Sequence, residues 1–434
     1  RTPDAHFAVE ARYNGTKTVA ITPDYSEVAK LTDHWLHPKQ GTDAALAFAF
    51  GHVILREFHL DNPSQYFTDY CRQYSDMPML VRLDPRDDGS FVTGRYLRAS
   101  DLDGALGEAN NPEWKTLAFD ENSGGLVVPH GSVGFRWGEK GRWNIEERDS
   151  QGRDTRLLLS LKDGHDGFVD VCFPYFGGVA HESWTSSPRE DILKRHIPTR
   201  KIKQADGSEV LVASVYDLLL AQYGLDRGFG GGHVASSFDQ DIPGTPAWQE
   251  KITGVPRAEV IEIAREFART ADKTRGRSMI IVGAAMNHWY HNDMNYRGLI
   301  NMLVMCGCVG QTGGGWAHYV GQEKLRPQSG WAPLAFGTDW SKPPRQMNGT
   351  SFFYFNSSQY RYEKLGVDEI LSPLADKSKY TGSLADYNLR AVRMGWLPSI
   401  PQLNMNPMQV VRDAEQAGMA PVDYAVGKLK DGSL

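Results

Sequence analysis

Short apolar strands alternate with longer helices at both ends of the first 325 residues, and this alternation constrains the fold more than any other feature. A helix is predicted from Thr2 to Tyr13, a β-branched strand over residues 18–22, and a long apolar helix from Asp43 to Phe58. The pattern resumes with a helix opened by Pro256 and a strand from Met279 to Val282. Because alternating strands and helices form parallel sheets covered by helices, we predict an α/β fold with buried strands.

The predicted domain organisation follows from where this alternation stops. Residues 1–62 are predicted to form the first part of an α/β dinucleotide-binding-like domain, and residues 251–325 return to it. Between them, residues 63–250 are rich in Gly, Pro, Asp and Arg around short strands, which predicts a large, loop-rich α+β insert. Residues 326–434 are predicted to form part of a further domain.

Bulk charge and hydropathy exclude two classes of protein. The chain has 47 Lys and Arg against 53 Asp and Glu, a net charge of -6, so no nucleic-acid partner is expected. The longest apolar stretch, Leu299 to Gly310, has about half the length of a transmembrane helix, so we expect no membrane-spanning segment in this chain. The chain opens at Arg1 without an initiator Met or a signal peptide and ends at Leu434 in what reads as an interrupted segment. We therefore expect an internal piece of a longer protein.

The four cysteines do not have the spacing of a metal site or a disulfide framework. Cys71 and Cys172 are isolated, and Cys306 and Cys308 are separated by one glycine at the end of an apolar segment. We predict four buried free thiols, a pattern that fits a reducing compartment.

Two of three candidate ligand positions lie in the first 62 residues. In open α/β sheets ligands bind outside the carboxyl ends of the strands, where Thr22 and Asp24 follow the first predicted strand. The alternative for Asp24 is a helix cap. Gly41, Thr42 and Asp43 begin the long helix, whose positive end favours anions. A carboxylate at Asp43 can accept both donors of a guanine edge, whereas an adenine edge presents an acceptor; the alternative is again a cap.

The third candidate position follows the strand that ends at Val282. Gly283 to His291 combines polar and aromatic residues in a strand-to-helix crossing, and Asn287 and His288 can reach a ligand there. The alternative is that His288 is a satisfied structural group. Further along, Gly313 to Gly315 and the pair Gly321 and Gln322 offer backbone amides and a side-chain amide, either to cradle phosphates or simply to turn the chain.

Taken in order, these segments resemble the bis-molybdopterin-guanine-dinucleotide oxidoreductases. The matching segments are residues 18–24, 40–47, 252–255, 283–288 and 310–322. The resemblance implies a molybdenum-bis(molybdopterin guanine dinucleotide) cofactor, with nucleotide contacts at Asp24, Thr42 and Asp43 and with Asn287, His288, Gly321 and Gln322 closer to the pterin and the metal. It adds Thr22, Gly41 and Gly283 as cofactor-binding positions. It also places the molybdenum-binding Asp and the ligands of a 4Fe-4S cluster before Arg1, so no metal ligand is expected in this chain.

Within that family, the insert points to the alpha subunits of the membrane-bound respiratory nitrate reductases. Residues 60–67, 134–141, 287–291 and 313–326 carry this resemblance. It implies reduction of nitrate to nitrite in anaerobic respiration, with His288 and Val320 bordering the nitrate cavity. The implied partners are an iron-sulfur beta subunit and a haem-containing, quinol-oxidising membrane gamma subunit. The latter would hold the enzyme at the cytoplasmic face of the cell membrane.

Three alternatives stay open at this point. A related selenate, chlorate or perchlorate reductase would share the segments, and a formate dehydrogenase would need Cys or selenocysteine as the upstream metal ligand. A non-catalytic scaffold would keep the fold without molybdenum, which the set Asp43, Asn287, His288 and Gln322 argues against. A nicotinamide dehydrogenase would need a glycine fingerprint that this chain lacks. Expressed alone, this piece is expected neither to hold molybdenum nor to reduce nitrate.

Overall fold

The chain divides into two units, Arg1–Tyr319 and Val320–Leu434. The computed structural model describes residues 2–25, 27–106, 115–129, 147–149, 151–174, 192–289, 292–318, 378 and 407–433. The boundary between these units lies at residues 319 and 320, and it does not test the four-part division predicted from the sequence. That division stays a prediction.

The described elements, in chain order, are as follows. The helices are α1 (Thr2–Tyr13), α2 (Asp43–Leu55), α3 (Gln65–Tyr74), α4 (Val215–Gln222), α5 (Pro246–Thr253), α6 (Arg257–Thr274), α7 (Asn292–Met305), α8 (Pro407–Gln416) and α9 (Pro421–Lys430). The strands are β1 (Val19–Ile21), β2 (His34–Leu36), β3 (Leu80–Pro85), β4 (Phe91–Tyr96), β5 (Ala118–Phe119), β6 (Leu126–Val127), β7 (Gly167–Pro174), β8 (Ile192–Lys203), β9 (Glu209–Ser214), β10 (Met279–Val282) and β11 (Gly315–His318).

Two pairs of parallel strands form, and each contains a strand that the sequence predicted, β1 or β10. β1 pairs with β2 so that Ile21 lies beside Leu36, and β10 pairs with β11 so that Val282 lies beside His318. The mixed α/β class is therefore confirmed. The prediction that the strands are buried is wrong, because Ile21 is 41% and Ile281 is 76% exposed. Among the described residues, each of these sheets has two strands.

Helix α2 lies at the centre of the main hydrophobic core. Its sequence is apolar on nearly every side, and α5, α6 and α7 pack around it. On α6, the buried residues Val260, Ala264, Ala268 and Ala271 recur at helical spacing on one face. The helix predicted to open at Pro256 is confirmed, with Pro256 at its N-cap.

Five strands between α3 and α4 close into a small barrel. β3 pairs antiparallel with β4 and β9, β8 joins β7 to β9 in antiparallel fashion, and β4 meets β7 in parallel. One cluster of buried residues includes Val81, Val171, Phe173 and Ile197. The barrel lies within residues 63–250, where the sequence indicated short strands but not their closure.

Arg195 anchors the barrel to the segment that follows α4. Its side chain is only 1% exposed, and its guanidinium donates hydrogen bonds to the carbonyl oxygens of Ala221, Gln222, His233 and Pro243. No carboxylate of the described residues pairs with it, and burial lowers its pKa to about 10. The charge is therefore stabilised by peptide dipoles alone.

Two further predictions concern the thiols and membrane spans. All four cysteines are free and buried, as predicted. Within the residues that the structure describes, no helix has the length and apolar character needed to cross a membrane.

In the second unit, α8 buries Val410, Val411 and Ala414 on one face.

Candidate functional site

The loop before α2 packs against the segment that follows β10. Gly41 has a φ of +74°, and a Cβ added to it would lie 3.4 Å from Cε3 of Trp289. Glycine is the residue that adopts this left-handed backbone without strain. The structure therefore brings together two of the three candidate positions, although they are about 240 residues apart in sequence.

Asp43 begins α2 with a carboxylate that accepts no hydrogen bond from another described residue. Apart from the backbone N–H of Asp43 itself, no described group donates a hydrogen bond to this carboxylate, and burial raises its pKa. Thr42 occupies the N-cap position, but its Oγ1 donates to the carbonyl oxygen of Lys39 at 2.6 Å and does not cap the helix. The interpretation of Thr42 as a side-chain cap is therefore wrong. Asp43 is half-buried at the positive end of a helix, where it can accept hydrogen bonds from a bound group.

The end of α5 supports this loop from the other side. The backbone N–H of Lys39 donates to the carbonyl oxygen of Thr253 at 2.9 Å. Gly254 ends α5 in the left-handed conformation, and a Cβ added there would lie 3.8 Å from Cε of Lys39. The segment over residues 252–255 thus fixes the path of the loop that leads to Gly41.

Thr22 and Asp24 lie at the carboxyl end of β1. The backbone N–H of Thr22 donates to the carbonyl oxygen of Leu36 at 3.1 Å, and its Oγ1 donates to Oδ1 of Asp24 at 3.0 Å. Asp24 is exposed, and the next helical turn is a short 3-10 helix over Ala29–Leu31 with Val28 at its N-cap. The alternative that Asp24 caps a helix is therefore wrong. Its carboxylate is oriented by Thr22 and faces solvent.

Gly283 ends β10 and precedes a short 3-10 helix over Ala284–His288. This helix contains Asn287, and the His288 side chain at its end is exposed. Val320, Gly321 and Gln322 lie outside the described residues. The roles predicted for all of these positions stay predictions.

Sequence reasoning missed a tyrosine and a histidine at the same strand edge. His318 ends β11 beside Val282, and its Nε2 lies 2.9 Å from the hydroxyl of Tyr296 on α7. Trp316 contacts both rings, stacked on His318 and edge-on to Tyr296. No strand was predicted over residues 315–318, and the pairing of His318 with Tyr296 depends on how α7 folds back. Among the described residues, no group of three or more His, Cys, Asp or Glu could hold a metal ion.

Comparison with known proteins defines the class to which this fold and site belong. The profile of the molybdopterin oxidoreductase family matches residues 2–392. The chain therefore belongs to the molybdopterin oxidoreductase family.

Several relatives are similar over the whole chain. It is 63% identical over 435 residues to respiratory nitrate reductase 1 alpha chain of Escherichia coli (strain K12), covering 100% of this chain and 35% of that protein. It is 43% identical over 439 residues to nitrate reductase alpha chain of Bacillus subtilis (strain 168), covering 100% and 34%. Perchlorate reductase subunit alpha of Dechloromonas aromatica (strain RCB) is 30% identical over 380 residues, covering 88% and 33%. The chain thus spans about a third of the length of these relatives.

Proposed function

We propose that this chain forms one wall of the guanine-dinucleotide cofactor site in the catalytic subunit of a quinol-dependent respiratory nitrate reductase. Two kinds of observation support the proposal. The nitrate reductase alpha chains reach 63% identity, against 30% for the perchlorate reductase subunit. The single structural observation that carries it is the Asp43 carboxylate, half-buried at the start of α2 without a hydrogen-bond donor from another described residue.

A guanine base fits what this carboxylate lacks. The ring N–H and the exocyclic amino group of guanine lie on one edge, so both can donate to a single carboxylate. Bonds of this kind are among the stronger ones in proteins, because the acceptor is charged. The positive end of α2 favours the ionised form that burial disfavours, and Gly41 beside it is exposed.

The neighbouring residues have proposed roles that follow from their positions. Thr22 and Asp24 would bind the nucleotide through the carboxylate that Thr22 orients. Thr42 and Gly283 would contact the cofactor through their backbone, whereas Asn287, Gly321 and Gln322 would lie nearer its pterin.

The reaction takes place beyond the nucleotide. When bound, the molybdenum cofactor supplies two-electron oxygen-atom transfer. In the proposal His288 and Val320 border the nitrate cavity. The exposed imidazole of His288 can donate a hydrogen bond to an anion there.

The proposed assembly follows from the nitrate reductase assignment. The haem-containing gamma subunit would oxidise quinol and pass the electrons to the iron-sulfur beta subunit. From there they would reach the molybdenum centre through a 4Fe-4S cluster of the alpha subunit. The complex would lie on the cytoplasmic face of the membrane, held by the gamma subunit.

Replacing Asp43 by Asn in the full-length subunit tests the cofactor assignment. The amide carries no charge and adds a competing donor, so we expect weaker guanine binding by about 1 to 3 kcal/mol. The measurement is the amount of GMP released by acid hydrolysis per purified subunit. Glu259→Gln is the matched control, because Glu259 is an exposed acid in the first turn of α6. Wild-type GMP content in Asp43→Asn would contradict the assignment.

A substrate competition tests the reaction independently of the cofactor contact. We expect the full-length enzyme, reduced with a viologen dye, to form nitrite from nitrate in preference to reducing perchlorate or chlorate. Faster turnover of perchlorate at equal concentration would favour the perchlorate reductase reading and contradict the nitrate assignment.

A further inference from the structure

A surface groove of about 400 Å³ lies along α3 and shares no residue with the candidate functional site. Tyr66, Tyr70 and Tyr74 recur at every fourth position, so they form a row along one side of the helix. Arg275, just after α6, lies opposite them. The volume is within the range of about 300 to 1,000 Å³ that ligand-binding pockets have.

The floor of this groove is aromatic and already ordered. The Tyr66 hydroxyl donates to the carbonyl oxygen of Gly307 at 2.6 Å, and the Tyr70 hydroxyl donates to that of Val309 at 2.9 Å. Tyr74 is 44% exposed, and its ring lies 5.0 Å from that of Tyr70. A partner that covers these rings would lose little of its binding energy to ordering them.

Arg275 carries a charge that no residue of the groove balances. Its guanidinium lies 5.9 Å from the centre of the Tyr66 ring and forms no ion pair in the part of the chain that the structure describes. The one acidic residue that lines the groove, Asp69, is already paired with Arg72 at 3.0 Å and accepts a hydrogen bond from Gln65. Arg275 therefore has no carboxylate partner among the described residues.

The backbone at Arg275 is left-handed. It ends α6 with a φ of +54°, a conformation that favours glycine. The next residue, Gly276, donates to the carbonyl oxygen of Ala271 at 2.7 Å, and a Cβ added to it would lie 2.3 Å from the carbonyl oxygen of Gly307. This contact fixes the chain path, so position 275 must be left-handed whatever residue it holds. An arginine there accepts backbone strain that a glycine would avoid.

We propose that this groove binds an acidic, extended segment of a partner protein. A carboxylate of that segment pairs with Arg275, and its apolar part lies on the exposed ring of Tyr74. Tyrosine and arginine are also the residues that dominate the binding energy of protein interfaces.

The test uses the full-length protein and two labelled hexapeptides, followed by fluorescence anisotropy. The acidic probe is Glu-Asp-Pro-Glu-Asp-Pro, and the neutral one is Gln-Asn-Pro-Gln-Asn-Pro. We expect saturable binding of the acidic peptide alone, weakened about tenfold by Arg275→Ala and by Tyr74→Ala. Arg277→Ala is the matched control, because it removes the same charge two residues away and outside the groove lining.

Three outcomes would overturn the proposal. These are equal binding of the neutral peptide, an equal loss in Arg275→Ala and Arg277→Ala, or no saturable binding of the acidic peptide. The variant Arg275→Gly suits the left-handed backbone, so its binding loss separates the missing side chain from any effect on folding.

Discussion

Two buried histidines should make the core around α2 sensitive to acid. His52 lies within α2, and its Nδ1 is 2.7 Å from the carbonyl oxygen of Tyr223. His59 lies in the π-helical turns that follow, with Nε2 at 3.0 Å from the carbonyl oxygen of Met305 and Nδ1 at 3.2 Å from the Tyr216 hydroxyl. Burial lowers the pKa of both side chains from 6.5 to about 4.

The sign and size of the effect follow from proton linkage. The folded pKa lies below the unfolded one, so between pH 6.5 and about 4 the unfolded chain binds more protons. Stability from these histidines is therefore present above pH 6.5 and is lost as the pH falls towards 4. At about pH 5.5 each histidine should lower the free energy of unfolding by about 1.4 kcal/mol relative to neutral pH, or by about 2.8 kcal/mol for the pair.

Urea unfolding of the full-length protein at about pH 7.5 and about pH 5.5, followed by tryptophan fluorescence, measures this loss. In His59→Gln about half of the loss should disappear, because the amide does not titrate while it can still donate and accept. His6→Gln is the control, since its side chain is 75% exposed. If His59→Gln keeps the wild-type difference between the two pH values, the argument from the buried neutral imidazole is wrong.

Two further changes test the packing of the core. Gly298→Ala places a Cβ 2.8 Å from that of Ala47, so we expect the free energy of unfolding to fall by about 1 to 2 kcal/mol. Gly427→Ala in α9 is the comparison, because a Cβ added there meets nothing within 4 Å. This variant should raise the free energy of unfolding by up to about 1 kcal/mol. Arg195→Met should destabilise by about 2 to 4 kcal/mol in urea unfolding, because it removes the hydrogen bonds that Arg195 donates to four carbonyl oxygens. Equal stability of the two alanine variants, or an unchanged midpoint for Arg195→Met, would contradict these expectations.

Local sequence patterns predicted the elements of the α/β part well, but not what covers them. The long apolar run from Asp43 and the capping signal at Pro256 are properties of a few consecutive residues, so α2 and α6 were predictable. The exposure of Ile281 was not, because an apolar strand reads the same whether or not a helix lies over it. Closure of the barrel depends on β4 meeting β7 in parallel, a pairing between distant segments with no local signal.

The candidate site also contains residues that the sequence predicted and contacts that only the fold reveals. Gly41 and Asp43 were candidates because a glycine allows close approach and the positive end of a helix favours anions. The pairing of Tyr296 with His318 requires α7 to return over the end of β11, which no spacing in the sequence indicates. Arg275 was hidden for a related reason, since its strained backbone follows from the contact of Gly276 with Gly307.

Helix α2 links the core to the proposed cofactor contact. Its first residue carries the unpartnered carboxylate, while the following turns bury Phe50, Val53 and Ile54 against the surrounding helices. Because this packing already fixes the helix, the direction of Asp43 is set before any ligand binds, and a bound guanine need not supply the energy to order it. The neutral His52 belongs to the same core, since a charge there would require water to enter beside α2. A buried, apolar helix thus holds one charged group at its first residue, and this contrast supports the proposed role of Asp43 in binding guanine.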